Sequence, residues 1–103
     1  SSTNQSKNAI NDENFYDNYI RNQALTHKIL LFSKTNCSYC NRAKKILEES
    51  NLAYHSIELD LNSNCPNENC TQLTRALILQ TRMKTVPQIF INGTLIGGCN
   101  DLE

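Results

Sequence analysis

The sequence has no surplus of either charge: ten basic residues balance ten acidic ones. Gripping nucleic acid or an anionic membrane takes a basic surplus, so neither partner is expected. A long apolar run is also missing. The longest, Ile29-Leu30-Leu31-Phe32, falls far short of the roughly 20 residues of a membrane span. No internal repeat is present. The cysteines do not make an even set; there are five, Cys37, Cys40, Cys65, Cys70 and Cys99. An odd, unevenly spaced number fits a secreted disulfide scaffold poorly. Reactive or regulated thiols in a reducing compartment are expected instead, with a structural Cys65–Cys70 bridge as the alternative. Finally, the chain opens on Ser1-Ser2 without an initiator methionine. A trimmed N-terminus is therefore expected, with a cytoplasmic location and a mitochondrial one as the alternative.

What is present suits one small α/β domain of 103 residues. Residues 1–11 are polar and read as a flexible lead-in, leaving 12–103 as the domain. Phe15, Tyr19, Ile20 and Leu25 suggest an amphipathic helix over 15–25. Residues 28–33 read as a strand buried on both faces. The period then changes. Cys40, Ala43, Ile46 and Leu47 share one helical stripe, so a helix runs from near 37 to near 50. Residues 53–60 alternate and read as a strand; 62–70 form a polar loop turning at Pro66-Asn67. Leu73, Leu77 and Ile78 mark a helix over 69–80. Residues 88–91 and 94–96 are strands joined by Asn92-Gly93, a strong hairpin signal. Strand–helix–strand implies a parallel pair and the hairpin an antiparallel one. The expected fold is a mixed four-stranded sheet flanked by helices.

The chemistry centres on Cys37-Ser38-Tyr39-Cys40 at a strand-to-helix junction. Sulfurs three positions apart on a first helical turn can close a disulfide. Cys37 stands at the exposed edge and Cys40 on the core-facing stripe. Cys37 is therefore expected to attack a substrate disulfide and Cys40 to resolve the mixed disulfide. The attacking group must be a thiolate. A helix N-terminus lowers a thiol pKa by at most about 1.5 units. Lys34, three residues upstream, is the candidate cation for more; otherwise it is an exposed strand-end lysine. A competing reading takes Cys37, Cys40, Cys65 and Cys70 as zinc ligands. The amphipathic helix carrying the first pair favours redox chemistry.

Three segments together resemble the dithiol glutaredoxin family over about residues 28–101: Cys37-Ser38-Tyr39-Cys40, the run from Thr85-Val86-Pro87 to Asn92-Gly93, and Gly97-Gly98-Cys99-Asn100-Asp101. The resemblance implies a thioredoxin fold and a glutathione-dependent oxidoreductase that reduces protein disulfides and glutathionylated thiols. Cys37 would form the mixed disulfide with glutathione and Cys40 would resolve it. Pro87 would be a cis-proline, and Thr85 and Val86 would flank the ligand, the Val86 backbone pairing with its cysteine. Lys34 would meet the glycine-end carboxylate, and Tyr39 would flank the site. Asn100 and Asp101 would hold the γ-glutamyl end, with Gly97-Gly98 allowing close backbone approach; without the family, Asn100-Asp101 reads as a helix cap. A residue near Thr74, or Gln72 or Arg75, would add to the carboxylate site.

Three departures stand out. Ser38 replaces the usual proline; family members of this form include ones that bridge a [2Fe–2S] cluster between two subunits. A cluster-bridged homodimer with Cys37 as ligand is therefore the alternative to a monomeric enzyme. The 62–70 loop, with Cys65 and Cys70, differs from the usual linker and is expected to hold a local disulfide or spare thiols rather than a regulatory pair, and Cys99 is either a glutathionylation site or a small buried residue. The family's C-terminal helix is not found before Glu103, so three alternatives are expected: a cut fragment, a module of a larger reductase, or compensation by the N-terminal helix and a partner.

Overall fold

A computed structural model describes the backbone of residues 2–102 and the side chains of residues 14–102. Helix α1 spans Ser2–Thr26. Strand β1, Ile29–Ser33, follows, then α2, Ser38–Glu49, and β2, His55–Glu58. Two 3₁₀ turns, Asn62–Asn64 and Pro66–Glu68, lead to α3, Cys70–Thr81. Strands β3, Gln88–Ile91, and β4, Thr94–Gly97, precede a last 3₁₀ turn, Cys99–Leu102. The polar lead-in expected over 1–11 falls on residues whose side chains lie outside the description.

The sheet order is β2-β1-β3-β4. β1 and β2 are parallel, while β1–β3 and β3–β4 are antiparallel. This is the expected mixed four-stranded sheet. Asn92 and Gly93 turn the hairpin with φ of 52° and 83°, the double positive φ that a tight right-twisting turn requires.

All five residues of β1 are buried because helices cover both faces. Leu30, Phe32 and Phe90 point to the α1/α3 side, where they meet Tyr16, Ile20, Ile57, Leu73 and Leu77. Ile29, Leu31 and Ile89 point to the α2 side, against Ala43, Leu47 and Cys99. Each fully buried Leu or Phe contributes roughly 1.5–3 kcal/mol.

Helix α1 shows a different face from the one its apolar residues suggest. Tyr16, Ile20 and Ala24 are buried, whereas Phe15 is 44 % and Leu25 77 % exposed. The inward stripe runs at four-residue spacing through a tyrosine and an alanine, and the larger Phe15 and Leu25 fall to either side. Gln80 of α3 donates to the Asp17 carboxylate and fixes this phase.

The five cysteines divide into three free thiols, Cys37, Cys40 and Cys99, and the structural bridge held open as the alternative. Cys65 and Cys70 are joined by a disulfide, buried in the α1/α3 core. Folding places their Cα atoms 5.2 Å apart, within ordinary bridging range. The four-thiolate zinc set is not assembled, since the bridge consumes two of its sulfurs.

Candidate functional site

Residues 34–37 leave the buried strand β1 and turn into α2. Asp60, just past β2, holds this turn. Its carboxylate accepts the Thr35 N–H at 3.1 Å and the Thr35 hydroxyl at 2.5 Å. These hydrogen bonds, with a smaller contribution from Lys34, keep the Asp60 carboxyl below its ordinary range. Sequence reasoning missed this clamp, which joins positions 25 residues apart.

Cys37 is the N-cap of α2, with φ −142° and ψ 113°. Its sulfur takes the place of the usual capping oxygen and accepts the Cys40 N–H at 3.2 Å. Cys37 is half-buried, with Sγ 3.9 Å from the Val86 carbonyl oxygen. Cys40 is fully buried. Burial first, and then the Cys37 side chain, push its thiol up to about 11. The two sulfurs thus differ as expected: one at the rim, one held back in the interior.

Beside them lies a cleft of about 330 Å³, lined by Tyr39, Thr85, Val86, Pro87, Gly98, Cys99, Asn100 and Asp101. It brings together Tyr39, Thr85, Val86, Pro87, Gly98, Asn100 and Asp101, all expected at the ligand, but not Lys34, nor Gln72, Thr74 or Arg75 of α3. Lys34 is exposed and lies outside the lining, near Asp60. The Val86–Pro87 bond is cis. Tyr39 is 59 % exposed and forms one wall.

Asp101 faces back onto the glycine turn. Its Oδ2 accepts the Gly98 N–H at 2.9 Å, while its own N–H donates to the Gly98 carbonyl at 3.1 Å. Gly97 sits at φ +125°, and a Cβ there would stand 2.3 Å from Asp101 Oδ2. Gly97 is thus the glycine whose missing side chain lets the Asp101 carboxylate pack against the turn.

Gln88 was also missed. It is buried, and its Nε2 donates to the Met83 and Thr85 carbonyls at 2.9 and 3.1 Å. Those bonds brace the segment that presents Val86. A polar residue opening an otherwise apolar strand was the available signal. Cys99, read as either a modification site or a small buried residue, is 4 % exposed and lines the cleft floor.

The glutaredoxin family model matches residues 29–96. The chain is 43 % identical over 84 residues to "Glutaredoxin-2, mitochondrial" of Homo sapiens, which covers 82 % of this chain and 48 % of that protein. It is 38 % identical over 81 residues to "Glutaredoxin 1" of Rickettsia bellii, covering 79 % of each. The chain thus spans about half the length of the mammalian relatives it matches. Among solved structures, a buckwheat glutaredoxin–glutathione complex superposes with a TM-score of 0.78 at 32 % identity, over 87 % of this chain and 77 % of that one. The sheet and its helices therefore form a thioredoxin-like fold.

Proposed function

This chain belongs to the glutaredoxin family, and from that premise we propose that it is a glutathione-dependent thiol–disulfide oxidoreductase. One observation carries the proposal: the Cys37 sulfur caps α2, accepts the Cys40 N–H, and stands against Val86 at the edge of a cleft.

In this reading Cys37 is the catalytic nucleophile. Its thiolate attacks a disulfide or glutathionylated thiol; a new S–S bond forms to Cys37 and the substrate leaves as a thiol. Glutathione lies in the cleft with its cysteine backbone on Val86. Asp101 spends one carboxylate oxygen on Gly98 N–H and offers the other to the γ-glutamyl ammonium, beside Asn100. Thr85, Pro87 and Gly98 shape the walls, and Tyr39 flanks the entrance. Lys34 is assigned to the glycine-end carboxylate on the family resemblance alone. The buckwheat protein solved with glutathione supports that ligand class.

The cytoplasmic expectation finds no support among the relatives. Those of Homo sapiens, Mus musculus and Bos taurus are all named mitochondrial. We therefore assign this domain to the mitochondrion, a proposal that fractionation with a tagged full-length protein tests.

The deciding assay follows glutathione-coupled reduction of a small glutathione mixed disulfide. Cys37→Ser is expected to abolish turnover. Cys40→Ser is expected to keep deglutathionylation and lose reduction of protein disulfides. Full activity in Cys37→Ser would overturn the assignment.

A second reading draws on Ser38 at the first position of α2 beside the half-exposed Cys37. A [2Fe–2S] cluster would take Cys37 from each of two subunits and the thiols of two glutathiones. Iron, sulfide and glutathione added to the reduced protein would then give a brown dimer; a colourless monomer would reject this reading.

A further inference from the structure

Gln88 is a residue that core packing by itself does not explain. It opens β3 opposite Phe32 of β1 and is 1 % exposed. Its Oε1 is buried and meets no hydrogen-bond donor among the described residues. A buried amide oxygen without a donor costs stability that an apolar side chain of similar size would not. The compensation lies at the other end of the amide. Nε2 carries two hydrogens, and two carbonyls accept them: Met83 at 2.9 Å and Thr85 at 3.1 Å.

Both carbonyls belong to the connection from α3 to β3. Helix α3 ends where Arg82 turns to φ 64° and donates its N–H to the Ile78 carbonyl at 2.8 Å. The Met83 N–H then donates to the Thr81 hydroxyl oxygen at 3.2 Å. Beyond it, Lys84 and Thr85 are exposed, and Gln88 holds this stretch from the inside. The Thr85–Val86 peptide is planar and trans. Across such a peptide the C=O and the N–H point in opposite directions. With the Thr85 carbonyl drawn inward to Gln88, the Val86 N–H points outward. The Val86 carbonyl oxygen faces the reactive centre, 3.9 Å from Cys37 Sγ, and Val86 lines the cleft. One buried amide thus sets the direction of the peptide group beside the attacking sulfur.

We propose that Gln88 is a positioning residue for the glutathionyl half of the substrate: by holding the Met83 and Thr85 carbonyls inward, it turns the Val86 N–H to the ligand and so sets selectivity for glutathionyl disulfides over disulfides that carry no peptide. The inference rests on the glutathione reading above and adds the residue that orients its backbone contact.

The test compares two disulfides. The reduced full chain is mixed with glutathione disulfide or with a dipyridyl disulfide, which has no peptide to pair with Val86. Loss of the reduced protein is timed by rapid quenching and intact-mass analysis. Both reactions use the same Cys37 sulfur, so their ratio removes anything common to that sulfur. Gln88→Met keeps the length of the side chain and removes the amide. It is expected to slow the glutathione disulfide reaction about tenfold, the worth of roughly one hydrogen bond, and to leave the dipyridyl reaction within about twofold of wild type. Gln88→Glu gives a second readout. Ionised, its carboxylate has no proton for the two carbonyls; protonated, it donates one. Its ratio is expected to be low at neutral pH and to recover on acidification, while the wild-type ratio stays flat; a merely structural role would not follow that protonation. A wild-type ratio in Gln88→Met would overturn the inference. Should that variant not fold, a wild-type ratio at every pH in Gln88→Glu would do the same. So would equal losses with both disulfides. A wild type that consumes the dipyridyl disulfide but not glutathione disulfide would instead overturn the glutathione reading itself.

Discussion

Gly97 shows how much of the cleft hangs on single atoms. Its φ of +125° is one that L side chains rarely adopt, and the space of its missing Cβ is filled by the Asp101 carboxylate. Gly97→Ala is expected to cost about 2 kcal/mol, from backbone strain and displacement of Asp101. Denaturant unfolding measures that loss. The Michaelis constant for glutathione is expected to rise with it, because the proposed function gives Asp101 the γ-glutamyl ammonium of the ligand. A variant with unchanged stability and unchanged glutathione dependence would contradict both roles. At this scale the motif residues were legible, since their spacing is local and their chemistry follows from side-chain type. Asp60 and Gln88 were not. Their importance comes from the backbone groups they meet, the Thr35 N–H and the Met83 and Thr85 carbonyls, and no sequence pattern records those contacts.

Among the elements, β1, α2, β3 and the hairpin were read correctly because their periods are strong and uninterrupted. Helix α1 was placed but its face was not. The phase of a weakly amphipathic helix is set by its partner, here by Leu73, Leu77 and Gln80 of α3 and the sheet beneath. A second contact of this helix region is equally invisible in the sequence. His27, just after α1, stacks on His55 at the start of β2, with ring centroids 4.0 Å apart and planes 7° apart. Burial, and then the His27 charge, lower the His55 pKa below its ordinary 6.5. The folded state therefore resists protonation more than the unfolded chain does. The stability this stack contributes is complete above about pH 6.5 and is lost as pH falls from there towards the lower folded value. Thermal unfolding across that window is expected to show stability falling on acidification, and His55→Gln is expected to flatten the slope. An identical slope in the variant would place its origin elsewhere.

For the molecule as a whole, the Cys65–Cys70 bridge is the feature that composition pointed away from. The bridge lies where the connection from β2 enters α3, inside the larger of the two cores. Closing a loop with a sequence separation of only 5 stabilises a domain by roughly 2 kcal/mol. The double variant Cys65→Ser/Cys70→Ser is expected to melt about 10 °C lower than the oxidised protein. Dithiol reductant is expected to bring the wild type down to the variant. A reductant-insensitive melting point equal in both proteins would show that the bridge contributes nothing to the fold.

The sequence by itself determined the parts that short range decides. The two-residue and helical periods set the order of strands and helices, Asn92-Gly93 set the hairpin, and Cys37-Ser38-Tyr39-Cys40 at a strand-to-helix junction set the chemistry. Tertiary structure alone decided that the Cys65–Cys70 bridge closes, which face α1 buries, and that Lys34 stands outside the cleft lined by Tyr39, Val86 and Asp101. It alone also paired Lys44 of α2 with Glu58 of β2. The reason is physical. Periodicity and turn chemistry act over a few residues, whereas a disulfide, a helix phase or a buried ion pair depends on distances between segments that only the packed sheet brings into register.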